Sequence, residues 1–325
     1  MADYEIDPGR PGASGRNQDV IDRLVFASLR EQTRARRWRI FFLLFFVVYL
    51  TVVTIVLLTG GDNGYDIAGA VDGNKHTAVV KLSGVISDGE QAGAENIVAG
   101  LEAAFKHEDT AVVVLEINSP GGSPVQSAYI YDEIMRLKQE HPDKPMYVVV
   151  SDICASGGYF VASAADKIYV NKSSLVGSIG VRMDNFGFVE MMKKIGVERR
   201  LLTAGENKAM MDPFLPEKSD QVAHLQAMLD EVHGHFIDAV KRGRGDRLDE
   251  SKELFSGLIW SGERSVALGL ADDFGTTRSV AREFGAEHIV DFTPKVDLLQ
   301  RIADRIGTSV GRGISEILLN ELAVR

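Results

Sequence analysis

The sequence predicts an α/β layered fold with largely parallel strands, preceded by one membrane-crossing helix. Three observations predict it. From residue 77 onward, short β-branched apolar runs alternate with segments of helical period. Two of the strand-to-helix junctions carry a Gly-Gly pair. Ahead of them all stands Ile40 to Leu58, a stretch with no charged residue.

Taken in order, residues 1–17 are polar and rich in Gly, Pro and Asp, a composition expected to stay disordered. From Asp19 to about Thr33, Val20, Ile21, Leu24, Val25 and Leu29 recur at helical spacing, predicting an amphipathic helix suited to a membrane surface or a partner. Residues 1–39 thus form one N-terminal segment. At 1.5 Å per residue, 40–58 reaches about 28 Å, close to the hydrocarbon thickness of a bilayer. Arg30, Arg34, Arg36, Arg37 and Arg39 crowd one side, whereas Asp62, Asp66 and Asp72 precede the first lysine on the other. The positive-inside rule then leaves the N-terminus cytoplasmic and exports the rest. Ala68-Gly69-Ala70 lies too far past the apolar run to read as its cleavage site, so an uncleaved anchor is expected.

A Gly/Asp linker, 59–76, leads to the main domain, 77–290. Strands are expected at Thr77–Leu82, Ala111–Ile117, Met146–Ser151, Lys167–Val170 and Glu198–Leu202. Helices are expected at Glu95–Lys106, at Ser123–Lys138 with Pro124 in its first turn, and from Ser156 onward. A long helix, Pro216–Arg242, carries the stripe Val222, Leu225, Leu229, Val232, Phe236, Val240. His224, His233 and His235 fall on it; rings two residues apart on a helix diverge by about 200°, so these read as surface or packed side chains rather than metal ligands. The tail 291–325 has an apolar helical stripe from 295 to 322, loosened by Gly307, Gly311 and Gly313.

The chemistry concentrates at the carboxyl ends of the strands, where α/β folds place their sites. Ser156 stands where the strand from Met146 breaks into a helix, beside unsatisfied N–H groups and a partial positive charge. A hydroxyl there suits a nucleophile. Asn118-Ser-Pro-Gly-Gly122 follows the neighbouring strand, and Gly157-Gly158 follows Ser156. Two such turns on adjacent strands would aim N–H donors at one oxygen. The nucleophile needs a base, and no histidine lies between Ser156 and His224. A lysine remains: Lys208, in a Gly-started loop flanked by Ala209, Met210, Met211 and Phe214, apolar neighbours that disfavour an ammonium ion. Cys154, the single cysteine, reads as a packed side chain. A net charge of −10 argues against nucleic acid as a partner.

Asn118-Ser-Pro-Gly-Gly122, Ala155-Ser-Gly-Gly-Tyr159, Leu175-Val-Gly-Ser-Ile-Gly-Val181 and Gly205-Glu-Asn-Lys-Ala209, in that order, resemble the signal peptide peptidase A (protease IV) family in its short, single-repeat form. The resemblance covers about residues 77–290. It implies a Clp protease/crotonase-like fold and a Ser/Lys dyad without a cofactor, Ser156 attacking and Lys208 acting as general base. It also implies oxyanion donors from Gly122 and Gly157, with Gly121 as the competing donor in its pair, and Ser178 orienting the lysine. In the family's short form, subunits form a ring and the serine of one is completed by the lysine of the next. The implied substrates are hydrophobic peptides, chiefly cleaved signal peptides, met at a bacterial inner membrane that residues 40–58 would anchor in. Two alternatives use the same fold: a crotonase-type acyl-CoA enzyme, disfavoured by export away from CoA, and a non-catalytic membrane scaffold.

Overall fold

The computed structural model describes residues 36–52, 54, 75–249 and 252–294. Residues 36–52 form a helix, α1, whose apolar side chains from Ile40 to Val52 are exposed all round. Among the described residues no helix is long and apolar enough to cross a membrane. Residues 53 and 55–58 of the expected anchor lie outside the described residues, as do 1–35, linker residues 59–74 and the tail from 295.

The main unit is built on parallel strands: β1 (His76–Ser83), β2 (Thr110–Ser119), β3 (Met146–Ala155), β4 (Lys167–Val170) and β5 (Leu175–Gly177). β1 pairs with β2, and β2 with β3. β3 then serves two neighbours. Its first half pairs with β4 through Tyr147–Val149 and its last three residues pair with β5. Between the halves the register against β2 slips, from Ile117 opposite Val150 to Ser119 opposite Cys154. The slip bends β3 and lets the sheet fork there. The expected strand end at Ser151 is therefore corrected: β3 runs on to Ala155, directly up to Ser156.

Helix α2 (Ala94–Lys106) buries Ile97, Leu101, Ala104 and Phe105 against the sheet. Helix α3 (Pro124–Glu140) starts with Pro124 in its first turn and Ser123 as N-cap, accepting from the Gln126 amide, and buries Ile130, Tyr131, Ile134 and Leu137. The short α4 (Gly157–Ala162) follows β3 without a linker, and its Tyr159 hydroxyl donates to the Leu270 carbonyl. These helices and the inward side chains of β1–β3 form the main core, which includes Cys154. Burial pushes the Cys154 thiol far above its ordinary range, as expected of a packed side chain.

After β5 the chain leaves the sheet. Helix α5 (Val189–Ile195) buries no residue. The strand expected at Glu198–Leu202 does not form: those residues have no ladder partner, and Leu202 is 99% exposed. Two leucines after two arginines, with no β-branched or aromatic residue, give little strand preference, and no sheet edge receives them. The long helix is α6 (Ser219–Arg244), but only the end of its stripe is buried, through Phe236, Ala239 and Val240, while Val222 and Met228 stay exposed. Sequence reading did not find the closing elements. These are β6 (Ile259–Ser261), antiparallel to β5; α7 (Gly262–Ala267); β7 (Asp273–Phe274), parallel to β4; α8 (Thr277–Glu283); and β8 (Ile289–Asp291), parallel to β1. They are two to seven residues long, too short for a periodic pattern.

Candidate active site

Ser156 sits at the β3–α4 corner with φ 51° and ψ −124°. Positive φ is costly for a side chain with a Cβ, and at a strand-to-helix corner it lifts the hydroxyl clear of both elements. Three non-glycine residues have it among those described, Ser156, Ser178 and Met211, and the first two line the same cavity. Such strain is held by its surroundings and collects at functional sites. Here the Ser156 amide donates to the Gly177 carbonyl at 2.8 Å, and the Ser156 carbonyl accepts from Phe160 at 2.9 Å. The half-buried hydroxyl has no hydrogen-bond partner among the described residues.

The Asn118–Gly122 turn packs directly on this corner. Gly121, at φ 100°, leaves no room for a side chain: a Cβ would lie 2.7 Å from both the Ser156 Cβ and the Gly157 nitrogen. Gly122, at φ 155°, would drive a Cβ into the Ile86 backbone, with which it forms a bridge. The two glycines differ as donors. The Gly121 amide is taken by Ser119 Oγ at 3.1 Å, and Ser119 in turn donates to the Gly84 carbonyl. The amides of Gly122 and Gly157 have no acceptor among the described residues. Both belong to residues lining the cavity beside Ser156. Two unpaired N–H groups flanking a strained, unpartnered hydroxyl can hold a developing oxyanion while that hydroxyl attacks.

The cavity measures about 810 Å³. Val85, Phe160, Val181, Leu229, Val232 and Phe236 give it apolar walls, with the Phe160 and Phe236 rings 5.0 Å apart. Arg182, Gln226, Asp230 and His233 add polar groups. Sequence reading placed His233 on the surface or in a packed face. The structure turns it toward the cavity, its Nε2 3.2 Å from the Ile179 carbonyl. The signal was legible: His233 stands four residues after Leu229 and three before Phe236, on the stripe that faces inward. His224 and His235 are exposed.

Ser178 lines the cavity, half-buried at the end of β5, its amide donating to the Leu258 carbonyl at 2.8 Å. Lys208 does not line it. It is exposed, in a turn where its amide donates to Gly205 at 3.2 Å. The apolar flanks do not bury it within one chain. Its turn is braced instead by its neighbours: Gln221 of α6 donates to Asn207, and Arg199 pairs with Asp212 at 3.0 Å. The Asp212 carboxyl is held below its usual range by the Phe214 amide first, and then by Arg199.

A largely parallel α/β sheet with this corner defines a Clp protease-like architecture, and residues 71–175 match the family described as Clp protease. Residues 138–290 match Peptidase family S49. A putative protease of Methanocaldococcus jannaschii is 31% identical over 230 residues, 69% of this chain and 72% of that protein. A putative signal peptide peptidase SppA of Enterococcus faecium is 32% identical over 214 residues, 63% of this chain and 62% of that one. A Brucella abortus protein named as a Na(+)/H(+) antiporter NhaA is 47% identical over 210 residues, 63% of this chain; the chain spans 28% of that relative's length. The chain belongs to peptidase family S49, with the signal peptide peptidases of the SppA type.

Proposed function

We propose that this chain is a membrane-anchored serine endopeptidase that degrades signal peptides and other hydrophobic peptides through an acyl-enzyme. The observation that carries the reading is the Ser156 corner: a strained serine with an unpartnered hydroxyl between two amides that lack acceptors. In the proposed reaction an uncharged Lys208 amine takes the Ser156 proton as Oγ attacks the scissile carbonyl. The Gly122 and Gly157 amides hold the oxyanion, and the new ammonium returns its proton to the leaving amine. Water, activated by the same amine, then releases the acyl group. The apolar cavity walls suit apolar peptide side chains.

Because Lys208 lies outside the cavity of its own chain, the base is proposed to come from a neighbouring subunit in a ring-shaped homo-oligomer. Docking would also supply the desolvation that favours a neutral amine, and would bring the lysine within reach of Ser178. Exposed apolar residues of the segment that follows β5 and leads to Lys208 support this: Phe186, Ile195 and Leu202 are 72%, 63% and 99% exposed. Anchoring through 40–58, with the N-terminus cytoplasmic and the peptidase domain exported, rests on the charge asymmetry and on the exposed apolar surface of α1.

The absence of Lys208 from the cavity lining beside Ser156 favours a second reading, a non-catalytic scaffold of this fold. Labelling with a serine-directed fluorophosphonate separates the two. The peptidase reading expects labelling of the full-length protein in mild detergent, lost in Ser156→Ala, together with cleavage of a signal peptide. Absence of both from the wild type would overturn it.

A further inference from the structure

His233 lines the cavity beside Ser156, yet the reaction proposed above gives it no task. We propose that His233 is a positioning residue that ties the Ser178 turn to α6, and so fixes the backbone on which Ser156 is strained. This inference rests on the serine peptidase reading.

Beyond the ladder pairing of Gly177 with Ala155 and Ile259, three contacts bear on the turn from Gly177 to Ile179. The Ser156 amide donates to the Gly177 carbonyl at 2.8 Å, and the Ser178 amide donates to the Leu258 carbonyl at 2.8 Å. His233 Nε2 meets the Ile179 carbonyl at 3.2 Å. No other hydrogen bond joins α6 to this turn among the described residues. Ser178 at φ 53° and Ser156 at φ 51° both stand in a conformation their own side chains disfavour, so these ties work against local preference. Loss of the third would let the Ser178 turn relax and shift the Gly177 carbonyl that holds Ser156.

The contact commits one of the two ring nitrogens to positioning, and the pH profile and the glutamine variant separate that role from proton transfer at Nδ1. A carbonyl only accepts, so the His233 Nε2 carries its hydrogen and is not free to take one from Ser156. Asp230 and Arg182 are the charged side chains that share the cavity, and Asp230 accepts from Gln226 at 2.8 Å. A side chain with one suitably placed N–H would therefore replace histidine, which no substitute for a general base could do.

The test compares full-length wild type, His233→Ala and His233→Gln for the rate of fluorophosphonate labelling, for kcat and KM on a signal peptide, for the pH–rate profile and for melting temperature. The expected result is a loss of about 10- to 100-fold in labelling rate and kcat for His233→Ala, the scale of a reacting group misplaced by about 1 Å. KM and the pH profile stay unchanged, and most of the rate returns in His233→Gln. Equal rates in wild type and His233→Ala would overturn the proposal. So would a changed pH profile without rescue by glutamine, which would make the ring an acid or base. Melting of both variants well below wild type would also overturn it, by making His233 a support of the fold. A wild type that neither labels nor cleaves would refute the peptidase reading itself.

Discussion

At Ser156 a β-strand ends in a residue forced to φ 51°, and the surrounding glycines make that corner possible. Gly121 is the most exacting of them, because its missing Cβ would occupy the space of the Ser156 Cβ and the Gly157 amide. Gly121→Ala is expected to lose about 1–3 kcal/mol by chemical denaturation, from its φ of 100° alone. Its fluorophosphonate labelling should fall as well, because the corner must shift to admit the methyl. The serine corner and both glycine turns were legible in the sequence as motifs; the lysine was a candidate that the fold leaves exposed and outside the cavity. The division of labour between Gly121 and Gly122 was not, since it depends on the Ser119 hydroxyl occupying one amide. His233 was legible as a position on the stripe but not as a cavity group, because periodicity gives a face and not what the face meets.

Among the elements, the C-terminal end of α6 is fastened to the sheet by charge. The buried Arg244 donates through Nη1 to Asp272 at 2.8 Å and through Nε to the Gly269 carbonyl, while Arg247 approaches the other Asp272 oxygen at 3.3 Å. Asp272 also accepts from the Ile168 amide at the start of β4. Burial works to raise the Asp272 carboxyl, but Arg244, the Ile168 amide and Arg247 outweigh it and hold the group below the ordinary range. Because the folded value lies below the unfolded one of ~3.9, the network contributes stability above that pH and loses it as pH falls through the folded value. Denaturant midpoints are therefore expected to drop below about pH 4 in wild type. Asp272→Asn should flatten that dependence while costing about 3–5 kcal/mol at neutral pH, since it leaves Arg244 buried without its carboxylate. No sequence pattern showed this, because Arg244 and Asp272 meet only through the fold. The elements that were found, β1 to β4, α2, α3, α4 and α6, are the long or strongly apolar ones. The false strand at Glu198–Leu202 has neither β-branched or aromatic residues nor a ladder partner.

For the whole molecule, the dyad proposed for a peptidase is not assembled within one chain: a strained serine corner stands on the sheet, and an exposed, braced lysine turn does not line its cavity. The proposed ring closes that gap and accounts for the exposed apolar residues Phe186, Ile195 and Leu202 in the segment leading to the lysine turn. Replacement of Leu202 and Ile195 by Asp is expected to leave the melting temperature within a degree or two, because both side chains are exposed. The native mass in mild detergent should shift toward the monomer, with labelling of Ser156 falling in parallel. Retained assembly in that double variant would place the subunit contact elsewhere.

The most direct test of a shared site is complementation. Ser156→Ala protein lacks the nucleophile and Lys208→Ala protein lacks the base, and each alone is expected to cleave a signal peptide about 10³-fold or more slowly than wild type. When the two are dissociated, mixed and reassembled, contacts that join an intact Ser156 to an intact Lys208 should restore part of the wild-type rate. If wild-type protein taken through the same steps is active but the mixture stays as inactive as its components, the base does not cross between subunits, and the account of this site is contradicted.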